Sequence, residues 1–216
     1  MLSRAQALEA VKVGDLIFGI AAGGQEKLLF VYEADATSFW ARHVTSQTTA
    51  KFGRDGESTW VHDGGSCTIV STARLPQEMR EVAIGLDRKF AARPEYPDSI
   101  LSKDEIRLVL THDEFFKANL LPGTEPIVRR ADKLNAVREV LQLKWDPINA
   151  SHNPPTWNEY LDDLPAVVSL LEKTTSVDEV TAFLGEMASR KERQSAVAGR
   201  SSAAAASLLR LRQEWG

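Results

Sequence analysis

The chain has little of what marks several large classes of protein. Its 216 residues include a single cysteine, Cys67, which excludes an internal disulfide and any pair of metal-binding or redox cysteines. No apolar run approaches the about 20 residues that a membrane-spanning helix needs, and residues 1–6 lack the pattern of a signal peptide. We therefore expect a cytoplasmic protein that does not enter a membrane.

Strong net charge and known cofactor motifs are also missing. The formal net charge is −4, which disfavours binding of polyanions by bulk electrostatics. The glycine pairs at 23–24 and 64–65 are not followed by Lys-Ser or Lys-Thr at a helix start, so neither predicts a phosphate loop. The four histidines are scattered, with no pair four residues apart. We expect no cofactor and no metal.

The first third of the chain has the pattern of short β-strands. β-Branched and aromatic residues form runs separated by turn residues such as Gly53-Arg54-Asp55-Gly56. The runs cover residues 13–20, 27–33, 38–45, 50–52, 57–61 and 67–72. They predict a small SH3-like β-barrel or a bent antiparallel sheet.

Helical periodicity follows. Pro76 suits a first helical turn, and two capping boxes, Ser102-x-x-Glu105 and Thr111-x-x-Glu114, predict two short helices. A long helix is expected from about Ile127 to Trp145 and is ended by Pro147. Further helices are predicted at residues 164–173, after the capping box Ser176-x-x-Glu179, and in the alanine-rich stretch 201–215.

These patterns predict an α+β protein with two domains. Residues 1–122 form a β-rich module with two or three trailing helices, and residues 124–216 form a helical domain with an alanine-rich C-terminal helix. The boundary is placed at Pro122-Gly123-Thr124, because proline and glycine disfavour a continuous helix.

A motif in the second half carries a family resemblance. Its residues are Trp145-Asp146-Pro147-Ile148, Glu159-Tyr160 and the apolar run 164–171. This segment resembles a bacterial all-helical domain of unknown function with a Trp-Asp-Pro-Ile turn. The resemblance covers about a third of the chain and implies a role as an immunity or regulatory factor, with no catalytic residues to transfer. From the residues alone, Trp145 is interpreted as a packing anchor.

The lone thiol allows a hydrolase hypothesis. Cys67 follows His62 and Asp63 closely, and His43 lies on a strand that could neighbour it. A thiol nucleophile needs a base within hydrogen-bond reach and a group that orients the base. A buried apolar cysteine explains the same pattern more simply. We therefore favour a protein that is not an enzyme and assign no catalytic residue.

Charge is unevenly distributed in the helical half. Residues 155–186 carry seven acidic side chains against Lys173 alone, whereas residues 190–214 carry a net charge of +4. Such a surface selects charged partners. We predict that the protein binds another, basic protein through five acidic residues: Glu159, Asp162, Asp163, Asp178 and Glu179.

The alternative is a nucleic-acid-binding module. Aromatic rings next to basic side chains on a small sheet can stack on bases and neutralise phosphates. The residues with this pattern are Trp40, Arg42, Lys51, Arg54 and Trp60. The competing interpretation places the tryptophans in the core and the basic groups in solvent.

Overall fold

The computed structural model describes residues 2–61, 66–92, 101–145, 160–190 and 198–215. Packing divides the chain into two compact units, Met1–Arg129 and Arg130–Gly216. The boundary predicted at residues 122–124 stays a prediction.

The first unit is built on a curled, antiparallel six-stranded sheet in the form of a half-barrel. The strand order is β5-β4-β3-β2-β1-β6. The strands are β1 (Leu16–Ala21), β2 (Glu26–Ala34), β3 (Ser38–His43), β4 (Thr49–Gly53), β5 (Ser58–Val61) and β6 (Cys67–Ser71). At one corner the two edges meet, where Ile69 donates its amide hydrogen to the Gly56 carbonyl at 2.8 Å. The predicted bent sheet is confirmed.

Alternation along the strands places the core of this unit on the concave face. Val31, Ala41, Phe39 and Phe52 are fully buried there, and the Phe39 and Phe52 rings stack with centroids 5.4 Å apart. A short helix, α1 (Arg4–Glu9), covers this core with Leu8. Helix α1 was not predicted from the sequence, although Ser3 and Gln6 form a capping box.

Two helices follow the sheet, α2 (Gln77–Ala91) and α3 (Lys103–Lys117). Phe116 of α3 is fully buried and stacks on Phe18 of β1, with centroids 5.2 Å apart. The prediction of two short helices here was wrong, because α3 continues through Thr111. The Thr111 hydroxyl donates to the Arg107 carbonyl within the helix and does not cap a new one.

The second unit is helical. Its helices surround a core that contains Trp145, Tyr160, Leu164, Leu184 and Leu208. The elements are α4 (Glu125–Val140), which crosses the boundary between the units, a π-helical turn (Leu141–Trp145), α5 (Leu164–Lys173), α6 (Val177–Arg190) and α7 (Ala198–Gln213). The predicted α+β class, with a helical C-terminal region, is confirmed.

Trp145 anchors this core. It is fully buried, its ring lies 5.6 Å from that of Tyr160, and its Nε1 donates to Ser201 Oγ at 3.1 Å. The indole is thus packed and its one donor satisfied, as its interpretation as a packing anchor requires. Asp146, Pro147 and Ile148 of the motif lie outside the described residues.

Candidate functional site

The lone thiol lies in an environment that suppresses its reactivity. Cys67 begins β6 and is only 5% exposed. Burial raises the pKa of the Cys67 thiol to about 12, so that almost no thiolate forms at neutral pH. A nucleophilic cysteine requires the opposite shift.

Among the described residues, the base proposed for this thiol does not support a catalytic role. Nδ1 of His43 lies 2.8 Å from Ser46 Oγ, and burial together with Lys27 lowers the pKa of His43 to about 4. His62 and Asp63 lie outside the described residues. Among the residues described, the structure therefore assembles no thiol–imidazole pair.

The described residues offer neither a metal site nor a membrane span. The described residues contain no group of three His, Cys, Asp or Glu side chains placed to hold a metal ion. Within the five described ranges, no helix is long and apolar enough to cross a membrane.

The aromatic and basic candidates lie on one end of the sheet. Trp40 and Lys51 are directly paired across β3 and β4, which places their side chains on the same face. The backbone of Trp60 on β5 pairs with that of Lys51. The Lys51 ammonium lies 5.9 Å from the centre of the Trp40 ring, and both side chains are partly exposed. The strand pairing thus brings together Trp40 and Lys51, two of the five nucleic-acid candidates, and a third candidate follows on the next strand.

Arg42 lies on this face, but its guanidinium is bound within the protein. Nε and Nη2 donate to the two carboxylate oxygens of Asp87 on α2, at 2.8 and 2.6 Å. The guanidinium also lies over the rings of Phe30 and Tyr32, 5.0 and 5.6 Å from their centres. A bidentate pair of this kind neutralises Arg42 and attaches α2 to the sheet.

Arg54 is occupied in a different way. Its Nη1 donates to the carbonyls of Leu8 and Val11 at 2.8 and 2.9 Å, which satisfies acceptors at the end of α1. Its Nε and Nη2 both donate to the Asp35 carbonyl. Arg54 therefore joins α1 to the sheet, and its donors are not directed at a ligand.

The structure separates the predicted acidic residues into two groups. Asp163 at the start of α5 lies 3.8 Å from Arg190 at the end of α6, and its side chain is only 17% exposed. Asp178 is twelve residues before Arg190 on α6, a rise of about 18 Å at 1.5 Å per residue. Asp162 and Asp163 thus lie at one end of the helix pair, and Asp178 and Glu179 lie at the other. Glu159 lies outside the described residues.

Asp163 precedes α5 without capping it. It occupies the N-cap position, but its side chain accepts no hydrogen bond from the helix. By contrast, the Glu179 amide donates to Ser176 Oγ at 3.3 Å, as the third capping box predicts.

One acidic face is continuous. Asp178, Glu179, Ala182, Glu186 and Ser189 are all exposed, and their helical positions place them within a 100° arc of α6. Among the described residues, the carboxylates of Asp178, Glu179 and Glu186 have no ion-pair partner. We call these three carboxylates with Ala182 and Ser189 the α6 acidic face. Helical periodicity applied to the acids alone would have selected Glu186 in place of Asp163.

Comparison with known proteins adds no relative to this description: no protein-family model, no curated protein and no solved structure matches the chain.

Proposed function

We propose that this is a non-catalytic binding protein whose α6 acidic face docks on a basic surface of another protein. The observation that carries the proposal is the set of three carboxylates, Asp178, Glu179 and Glu186, exposed on one side of α6 and without ion-pair partners among the described residues. Ala182 and Ser189 between and beyond them have small side chains, so a partner can approach the helix closely.

The exposed carboxylates are suited to recognising the partner protein more than to forming a tightly buried contact with it. Exposed charges accelerate and select encounters, and their attraction falls within about 8 Å at physiological ionic strength. We therefore expect the association rate to fall as salt is added. The dissociation rate should depend on additional contacts that the partner makes around the α6 acidic face.

The family resemblance supports the biological context of the proposal. The Trp-Asp-Pro-Ile sequence and the apolar run of α5 resemble a bacterial helical domain for which an immunity or regulatory role is implied. In this proposal the protein acts in the bacterial cytoplasm and occupies a basic cleft of its partner. The described residues of the motif, Trp145, Tyr160 and the α5 run, are largely core residues, so they support the scaffold of the α6 acidic face.

The test compares two variants with equal change in charge. Asp178→Lys, Glu179→Lys and Glu186→Lys together reverse the α6 acidic face. The control reverses three exposed acids elsewhere: Glu9→Lys, Glu114→Lys and Glu139→Lys. Partners are captured on the wild-type protein from the native cell, identified by mass spectrometry, purified, and titrated against all three proteins at several salt concentrations.

We expect affinity to fall at least about tenfold in the α6 variant and to change little in the control, with a salt dependence that weakens in the α6 variant alone. Lysine at Asp178 and Glu179 opposes the α6 dipole at a cost of about 0.3–1 kcal/mol each, so thermal unfolding of each variant is measured first. Equal loss of affinity in both variants would show that the α6 acidic face is not the binding surface.

Nucleic-acid binding by the sheet remains the second hypothesis. The cross-strand pair of Trp40 and Lys51 favours it, whereas the intramolecular contacts of Arg42 and Arg54 leave it few cations. It predicts a salt-dependent gel shift with single-stranded oligonucleotides that Trp40→Ala abolishes. No shift with the wild-type protein at low salt would exclude it.

A further inference from the structure

A small basic pocket lies in the first unit, at the edge where β1 begins and β6 has just ended. Its volume is about 180 Å³. Lys12 and Asp15 line it from the loop before β1, Thr72 and Arg74 from the segment after β6, and Arg80 from the first turns of α2. Buried Leu16 and Leu75 complete the lining.

The pocket concentrates positive charge in a protein whose net charge is negative. Three basic side chains, Lys12, Arg74 and Arg80, face one carboxylate, that of Asp15. This carboxylate already accepts a hydrogen bond from the Lys12 amide at 2.9 Å. The local surplus of two positive charges favours an anion.

The donors differ in how firmly they are held. Arg80 is partly buried, and its Nη2 donates to the Gly14 carbonyl at 2.9 Å, which fixes the guanidinium at the pocket. The side chains of Lys12 and Arg74 make no hydrogen bond or ion pair with any other described residue. One fixed guanidinium and two uncommitted cations can therefore converge on one ligand.

The size of the pocket suits a small ligand. Its volume is about 180 Å³. Pockets for drug-sized molecules or nucleotides are larger, about 300–1,000 Å³. A tetrahedral oxyanion fits, and its oxygens match guanidinium, ammonium and hydroxyl donors such as those of Arg74, Lys12 and Thr72. The N-terminus of α2, which has no side-chain cap, begins beside the pocket and adds partial positive charge.

We propose that this pocket binds phosphate, either as the free ion or as the phosphoryl group of a small monoester. Lys12 and Arg74 close on the phosphoryl oxygens from the rim, and Arg80 and Thr72 contact it from within. The site belongs to the first unit and is independent of the α6 acidic face, so either proposal can fail without the other.

The test uses the full chain and isothermal titration with inorganic phosphate at constant ionic strength, with chloride as the balancing anion. The pocket variant is Lys12→Gln with Arg74→Gln. The control is Arg88→Gln with Lys103→Gln, which removes the same charge from exposed positions of α2 and α3. Arg80 is left unchanged because its bond to Gly14 also supports the fold.

We expect saturable binding by the wild type and the control, and binding at least about tenfold weaker in the pocket variant, since each charge-assisted hydrogen bond contributes on this scale. Phosphate should also shift the amide NMR signals of Gly14, Asp15 and Arg74. Comparison with glycerol phosphate separates the two sources: tighter binding indicates a monoester, and equal binding indicates the free ion.

The proposal is overturned if phosphate produces no saturable signal beyond that of chloride, or if the control loses as much affinity as the pocket variant. It is also overturned if the amide shifts lie outside the pocket.

Discussion

Replacing Asp87 with asparagine should destabilise the first unit by about 3 kcal/mol. The side chain of Asp87 is only 2% exposed and receives both donors of Arg42, together with Gln47 Nε2 at 3.3 Å. Asparagine has nearly the same shape but removes the charge and turns an amide donor towards a guanidinium donor. The arginine is then left without its counter-ion between α2 and the rings of Phe30 and Tyr32.

The magnitude follows from burial. Removal of one member of a buried ion pair costs about 3–5 kcal/mol, because the other charge stays desolvated. Arg42 is 26% exposed, so water partly solvates the orphaned guanidinium, which places the cost at the low end of that range. Replacing both members, as Arg42→Met with Asp87→Leu, should cost less than the sum of the single changes, because no unpaired charge remains.

Urea unfolding followed by circular dichroism measures the free energy, and amide hydrogen exchange in α2 and β3 assigns the change to the first unit. Glu172→Gln is the control, since it breaks the exposed pair with Lys133 and should cost less than about 1 kcal/mol. If Asp87→Asn is no more destabilising than Glu172→Gln, the Arg42–Asp87 pair does not hold α2 on the sheet and the reasoning fails.

Three further predictions concern buried positions of the same unit. The pKa of His43 in the folded protein, about 4, lies below its ordinary value of 6.5, so the unfolded chain takes up the proton first as the pH falls. The stability present above pH 6.5 should therefore decline as the pH falls towards 4, by at most about 1.4 kcal/mol per pH unit. Denaturation measured across that pH range should show a flatter decline for His43→Gln. Cys67 should resist iodoacetamide at pH 8 until the protein unfolds, and rapid native labelling would contradict its burial. Gly19→Ala should lower the free energy of unfolding by about 1–3 kcal/mol, because the new Cβ would lie 2.8 Å from Cys67 Sγ. Cys67→Ala in the same chain should recover part of that loss. Strictly additive effects of the two substitutions would count against the contact.

Much of the fold could be read from local patterns. The six strands appear within a few residues of their predicted ends, because alternation and turn residues act over four to eight positions. The helix after Pro76 begins where the proline indicates, and the helix after Ser176 begins with the predicted cap. Thr111 was misinterpreted because a Thr-x-x-Glu sequence occurs equally well inside a helix, where the hydroxyl bonds to the preceding turn.

The candidate site could be predicted less well from local sequence patterns. The sequence identified an acidic helical segment. The placement of its acidic residues at two ends of the α5–α6 pair follows from the antiparallel arrangement of these helices, which the contact between Asp163 and Arg190 reveals. The role of Arg42 depends on Asp87, forty-five positions later, and that of Arg54 depends on carbonyls of the first helix. Neither pairing leaves a local signal.

The amino-acid sequence by itself determined the α+β class, the six strands along the chain, and the burial of Trp145, since propensity, periodicity and apolar content are properties of neighbouring residues. Only the tertiary structure decided which charges are neutralised and which remain available. Arg42 and Arg54 are occupied within the fold, whereas Lys12, Arg74 and the carboxylates of the α6 acidic face are not. The physical reason is that Coulomb and hydrogen-bond interactions act over a few ångströms in space, regardless of separation along the chain.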